Sequence, residues 1–339
     1  MWQPVRSHLH ERDSRFSLKR FCVFLLLLGI FIYLLHAINI PFPSCTIARK
    51  ASEFSQHDEH HQVDFKNFQI KFEFVRLPTN FLSRCNFENS QANDTLLIII
   101  LSAPGKGAVR EAIRRTWANT TIINNRTHSV ETFFLIGNGK DFNQNVADEA
   151  DIYDDIILTD VPESYKNLVY KTSIMLRIAS EMCGGATFVL KVDEDVVFHI
   201  DRFFGQVGEQ FNSNEAAIYG SIWHGKKPLR DPRSKWFISK DHYNGTIYPD
   251  FMSGSSYIMT MKAVQMLYEA LPKFPLIYVE DVLVTGLIAQ SVGVPRIDPK
   301  SFLKWQREKP KCGSALISIH DVKGATNLEK TWNYMNKAC

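Results

Sequence analysis

Asp193, Glu194 and Asp195 stand side by side after the apolar run Ala186-Thr187-Phe188-Val189-Leu190, with Lys191 and Val192 between. Adjacent carboxylates repel one another and resist burial, so a strand that ends in three of them needs an account. A solvated loop is one reading, because short acidic runs commonly face water. A divalent cation is the other. Hard ions such as Mn²⁺ or Mg²⁺ prefer carboxylate oxygens and keep open positions for phosphate. From the triplet alone the solvated loop is the plainer reading.

Four other segments carry residue types suited to chemistry. Arg110 and Arg114, four apart, fall on one helical face. Such a pair can clamp a phosphate, or it can form an ordinary salt-bridge face with carboxylates. Tyr165-Lys166-Asn167-Leu168-Val169-Tyr170-Lys171-Thr172 begins a helix. The small-residue stretch Ser253-Gly254-Ser255-Ser256 reads as a tight turn between Tyr248 and Tyr257, aromatics that could hold a sugar or nucleobase. Glu280-Asp281 follows the apolar Phe274-Pro275-Leu276-Ile277-Tyr278-Val279; an acidic pair there also suits a helix N-cap. Near the end, His320 follows the short apolar strand Ile317-Ser318-Ile319, where a satisfied structural histidine is the plainer reading than a metal ligand.

These segments need elements to position them. Leu96–Leu101, Thr132–Ile136, Asp155–Thr159, Thr187–Val192 and Ala217–Gly220 read as strands. Val109–Trp117 and Asn167–Met182 read as helices. Continuous apolar strands alternating with helices predict an α/β domain with a largely parallel central sheet covered on both faces. In such sheets ligands bind beyond the carboxyl ends of the strands, which is where the acidic triplet falls. No GxGxxG follows the first strand and no Walker-type lysine loop occurs, so the common phosphate-loop folds lack support.

Charge is concentrated at the start of the chain. The first 20 residues hold Arg6, Arg12, Arg15, Lys19 and Arg20 against Glu11 and Asp13, and this excess equals the whole net charge of +3. The remainder is balanced, which argues against a nucleic-acid partner. Phe21–Ile40 contains no charged residue and is long enough to span a bilayer as a helix. Lys19-Arg20 before it predict a cytoplasmic N-terminus, and no small-x-small cleavage site follows. The reading is a type II signal anchor, suited to a thin, early secretory-pathway membrane. Residues 1–20 are then a cytoplasmic tail, 21–40 the membrane span, 41–92 a lumenal stem and 93–339 the catalytic domain. Asn93, Asn119, Asn125 and Asn244 begin glycosylation sequons, consistent with a lumenal body. Cys45, Cys85, Cys183, Cys312 and Cys339 lie beyond the span, so a lumenal disulfide is permitted but its pairing is open. His57, His60 and His61 lie in the stem, which is too irregular to preorganise metal ligands.

Taken together these segments resemble the β-1,3-glycosyltransferase family of β-1,3-galactosyltransferases and β-1,3-N-acetylglucosaminyltransferases. The matching pieces are Arg114–Trp117, Phe134–Gly137, Asp155-Ile156 leading into Tyr165–Leu168 and Lys171-Thr172, Lys191–Asp195, Ser253–Tyr257, and Glu280-Asp281-Val282 with Gly286. The resemblance runs from about Thr95 to His320. It implies a GT-A fold and a UDP-sugar donor. It further implies Mn²⁺ or Mg²⁺ held by Asp195 with Asp193 in support, and an acceptor glycan on glycoprotein or glycolipid. The family pattern at the triplet is commonly Asp-Asp-Asp; here the middle residue is Glu194. By the same resemblance Asp281 is the general base of an inverting transfer and Glu280 shapes the acceptor site. Arg110, Arg114, Lys191, Asp193 and Gly254 are expected near the UDP-sugar. Galactose is the favoured donor sugar, with N-acetylglucosamine or N-acetylgalactosamine transfer, or a silent lumenal chaperone, as alternatives. The resemblance further implies a Golgi membrane location, with oligomeric state open.

Overall fold

The computed structural model describes residues 62–63, 70–87, 92, 94–119, 128–138, 144–303 and 315–336. The expected tail and membrane span, most of the stem, Asn93 and Asn125 lie outside the described residues. So do the stem histidines, Cys22, Cys45, Cys312 and Cys339.

The central sheet has eight strands. In chain order they are β1 (Phe74–Arg76), β2 (Asp94–Ser102), β3 (His128–Asn138), β4 (Ile156–Pro162), β5 (Phe188–Asp193), β6 (Ile218–Trp223), β7 (Phe251–Thr260) and β8 (Arg296–Ile297). Their spatial order is β8-β6-β7-β5-β2-β3-β4-β1. The block β5-β2-β3-β4 is parallel, as the uninterrupted apolar runs predict. β7 enters between β5 and β6 antiparallel to both, and β1 closes the far edge antiparallel to β4. The sheet is therefore mixed.

Strand alternation divides the apolar residues between two cores. Leu97, Ile99 and Leu101 of β2 face one core with Phe133, Leu135 and Val189. Leu96, Ile98 and Ile100 face the other with Phe134, Ile136, Leu190 and Val192. This is the period-two geometry of a strand buried on both faces. Helices α3 (Leu168–Arg177) and α4 (Met261–Ala270) cover the first face. With them lies α5, a π-helical segment over Val282–Ile288. Helices α1 (Gly107–Arg115), α2 (Gln144–Tyr153) and α6 (Ala325–Met335) cover the second. A disulfide joins Cys85 to Cys183, the pairing the sequence left open.

One segment differs from its sequence reading. Ser253–Tyr257 is part of strand β7 and not a free turn. Its pairing with β6 shifts between Met252 and Tyr257, where β7 advances five residues while β6 advances two. Serine and glycine make a poor strand signal, but their small side chains suit a bulge, which re-aims the local backbone.

Candidate active site

β5 ends the parallel block with Lys191, Val192 and Asp193, and the bulged half of β7 lies beside it. Lys191 is buried and faces Tyr257 across the ladder. A buried ammonium needs partners. Its Nζ donates to Asp193 Oδ1 at 2.6 Å and to the carbonyl oxygen of Gly254. Burial alone would lower the Lys191 pKa, but the charges of Asp193, Glu280 and Asp281 outweigh it and raise it. Asp193 is pushed up to about 6 by burial, despite its pairing with Lys191.

The other two acids of the triplet have different surroundings. Glu194 turns toward the end of β2, where Oε2 accepts from Ser102 Oγ at 2.6 Å and Ala103 N at 3.1 Å. Burial raises its pKa in spite of those bonds. Asp195 faces His320, whose Nε2 lies 3.4 Å from Oδ1. Burial works against the Asp195 carboxylate, but the imidazole outweighs it and the pKa falls. The triplet thus is not a solvated loop: it lines a cavity of about 360 Å³ with Ser102, Lys106, Glu163, Lys171 and Lys323.

Asp281 approaches the other side of Gly254. It caps the π-helical segment, with Oδ1 accepting from Val282 N at 2.9 Å. The Gly254 N–H also donates to it. A β-carbon on Gly254 would stand 3.1 Å from Asp281 Oδ2, so the glycine permits this close approach. Burial, then the Glu280 charge, pushes the Asp281 pKa up to about 7. Glu280 is buried, and its Oε1 accepts from Thr172 Oγ1 at 3.0 Å and Tyr257 Oη at 2.8 Å. Gly254 therefore connects the two acidic groups: its carbonyl holds Lys191 and its N–H holds Asp281.

The structure brings together Lys191, Asp193, Gly254, Glu280 and Asp281, with Asp195 lining the cavity and His320 beside Asp195. It places Arg110 and Arg114 elsewhere. Arg110 is fully buried, and all five of its N–H donors are engaged by Glu149, Ser102, Ala103 and Pro104. Arg114 bonds Glu149 and Asp155 and stacks on Tyr153 at 3.9 Å. The salt-bridge alternative stated for this pair describes their geometry, and it braces the β2 end from behind. Sequence reasoning missed Lys106, Lys323 and Glu163, and singled out Lys171 without giving it a place in the site. Lys171 left one signal, a charged residue on the apolar stripe of α3; its Nζ donates to Ser102 O at 2.8 Å and Glu163 Oε2 at 2.9 Å. The aromatics beside the small-residue stretch are also engaged: Tyr257 holds Glu280, and Tyr248 is buried against Phe251 and Tyr243.

Asp195 and His320 offer an oxygen and an imidazole side by side, with Asp193 two residues earlier. Among the described residues no three His, Cys, Asp or Glu side chains converge on one point. Such a donor set fits a hard cation completed by substrate phosphate oxygens, not an all-protein cage.

Comparison with known proteins gives concordant results. The sequence model of the galactosyltransferase family matches residues 108–300. Beta-1,3-galactosyltransferase 1 of Mus musculus is 28% identical over 306 residues, covering 87% of each chain. Beta-1,3-galactosyltransferase bre-2 of Caenorhabditis elegans is 33% identical over 245 residues, covering 69% of this chain and 67% of that one. A solved galactosyltransferase, LgtC with donor and acceptor sugar analogs, aligns over 72% of this chain and 97% of its own. Its TM-score is 0.39 at 10% identity, a level that carries no argument.

Proposed function

Because the chain belongs to the galactosyltransferase family, we propose that it moves galactose from UDP-galactose to a hydroxyl of an acceptor glycan, forming a β-1,3 linkage on a GT-A scaffold. The observation that carries this reading is the pair of acidic groups on the two sides of Gly254. Inverting transfer needs a base on one side of the reacting carbon and positive charge on the other, which the acids near Asp195 would supply by holding a cation. The base accepts a proton from the incoming hydroxyl and the positive charge serves the departing diphosphate.

Asp281 has the features of the proton acceptor. It lies in a partly dry position, its pKa is raised toward neutrality, and Gly254 leaves open the space beside Oδ2. In the proposed step its carboxylate takes the proton of the acceptor hydroxyl as that oxygen attacks the anomeric carbon. The bond to UDP breaks on the opposite face. Glu280, pinned by Thr172 and Tyr257, keeps Asp281 in place and adds the charge that raises its basicity. Lys106, Lys171 and Lys323 line the cavity, which supplies positive potential for the diphosphate. Asp195 and His320, with Asp193 nearby, would hold Mn²⁺ or Mg²⁺; when bound, such an ion neutralises charge developing on the leaving phosphate.

The apolar span 21–40, its basic flank, the sequons and the Cys85–Cys183 disulfide support a lumenal catalytic body anchored in the Golgi membrane. Asn244 is exposed, as a glycosylated position requires.

The test is transfer by the full-length protein with Mn²⁺ across UDP-galactose, UDP-N-acetylglucosamine and UDP-N-acetylgalactosamine. Products on simple β-glycosides are linkage-assigned by NMR. A β-1,3-galactoside is expected. Transfer of another sugar with none of galactose would refute the donor assignment, and no transfer at all would refute the activity.

A further inference from the structure

The connection from β6 to β7, residues 224–250, is long for a compact domain yet internally braced. Arg230 lies at its centre. Its Nη1 donates to Ile238 O at 2.7 Å, and its Nη2 to Tyr243 O at 2.7 Å and Gly245 O at 3.1 Å. Backbone bonds from Ile238 to Leu229 and from Tyr248 to Lys226 close the loop, and Ile238 is fully buried beneath it. On this fixed base Trp236 keeps 44% of its surface exposed. Binding residues are commonly carried on loops that a rigid scaffold holds in place.

Trp236 lies beside Tyr165, with the Lys235 ammonium near both rings. Its indole N–H bonds the hydroxyl of Tyr165, which is itself 38% exposed. The Lys235 ammonium lies 4.5 Å from the Trp236 ring centre and 5.2 Å from that of Tyr165. Tyr165 opens the turn before α3, and that turn lies against the irregular segment leading to the acids. Lys166 Nζ lies 5.7 Å over the Tyr278 ring, and Thr172 bonds Glu280. The Tyr165 hydroxyl feels the charges of Asp281 and Glu280, which with burial raise its pKa.

We infer that Trp236 and Tyr165, with Lys235 over both rings, form the platform that binds the terminal pyranose of the acceptor beside Asp281. This rests on the transferase reading of the site. A pyranose has one face of C–H groups and a rim of hydroxyls. The aromatic planes take the apolar face, and the ammonium, with three donors and no acceptor, takes hydroxyl or ring oxygens. The platform fixes the sugar so that one secondary hydroxyl meets the Asp281 carboxylate. These three residues are positioning and binding groups; none takes part in proton transfer.

The test uses the full-length protein with 4-nitrophenyl β-galactoside and N-acetyl-β-glucosaminide as acceptors, at saturating UDP-galactose. Trp236→Ala should raise the KM of the better acceptor about tenfold. Its UDP affinity and melting temperature should match the parent, since the ring is half exposed and does not line the diphosphate cavity. Trp236→Phe, which keeps a ring, should recover to within about threefold of the parent KM. An acceptor KM unchanged in Trp236→Ala overturns the platform, as does a loss shared equally by UDP affinity. Saturation-transfer NMR of the same glycosides reads the platform without turnover. Pyranose protons that receive saturation from the parent and not from Trp236→Ala support it, and equal transfer to both overturns it. Failure of the parent to transfer any sugar, with binding intact, contradicts the transferase reading and not the platform.

Discussion

Replacing Gly254 with alanine tests whether the approach of the two acidic groups is as tight as the geometry indicates. The added methyl would stand 3.1 Å from Asp281 Oδ2 and 3.3 Å from its Cβ and Cγ. Ordinary contact begins at 3.4 Å, so Asp281 or the β7 bulge must give by about 0.3 Å or more. Asp281 is the element that yields. The Gly254 carbonyl is fixed by a buried lysine, and the strand is paired on either side of the bulge, with β6 at Met252 and with β5 from Ser256. Misplacing a catalytic group by about 1 Å can cost about a hundredfold, so a shift of about 0.3–0.5 Å should lower kcat about four- to tenfold. Alanine keeps the carbonyl that accepts from Lys191, so UDP affinity should be unaltered. The assay is steady-state transfer at saturating donor and acceptor, with UDP binding measured by calorimetry. Full kcat with parental UDP affinity would refute the argument that Gly254 spaces the base. A loss of UDP affinity equal to the loss of kcat would place the effect on the donor side instead.

Four further outcomes are expected. The rate should fall by about tenfold per pH unit below about 7, where Asp281 becomes protonated, and level off above it; a flat profile from pH 5 to 8 contradicts the assignment. The same raised pKa means the folded state holds that proton more tightly than the unfolded chain. Its stabilising contribution is present in acid and is lost as pH rises through about 7, so the melting-temperature difference between parent and Asp281→Asn should vary with pH in that sense. Glu149→Gln removes the carboxylate shared by Arg110 and Arg114 and leaves a fully buried guanidinium without its counter-charge. A loss of about 3–5 kcal/mol by denaturant unfolding is expected, and a loss under about 1 kcal/mol contradicts the buried-pair reading. Asp195→Ala should abolish the Mn²⁺ dependence of UDP binding, and Mn²⁺-dependent binding equal to the parent would exclude Asp195 as a ligand.

Much of the architecture was legible in the sequence because the parallel strands are buried on both faces. Leu96–Leu101 and Phe188–Leu190 read as strands with no need for context. β7 was not legible in its first half. Ser253-Gly254-Ser255-Ser256 has neither alternation nor β-branched residues, and what makes it a strand is its neighbours β5 and β6. The mixed sheet follows from that insertion and from the antiparallel edge strand β1. The acidic residues were identifiable from position and family resemblance, but their division of labour was not. Glu194 bonds the end of β2, Asp193 pairs with Lys191 and Asp195 faces His320, and each choice depends on residues distant in the chain. The roles of Arg110 and Arg114 also depended on distant partners, Glu149 and Asp155, and no local pattern announces them. The exposed Trp236 lies in a stretch with no periodicity, and its contacts with Tyr165 and Lys235, which no local pattern shows, connect it to the site.

The central claim is that Asp281 takes the proton of the acceptor hydroxyl while the Asp193–Asp195 side serves the leaving diphosphate. Single-turnover transfer by Asp281→Asn at pH 8, with UDP affinity measured on the same preparation, tests it most directly. The amide keeps the size of the side chain and an oxygen to accept from Val282 N, but cannot accept the proton. A fall in transfer of about 10²- to 10⁴-fold with parental UDP affinity is the predicted result. Transfer within about tenfold of the parent, with UDP bound equally well, would contradict it.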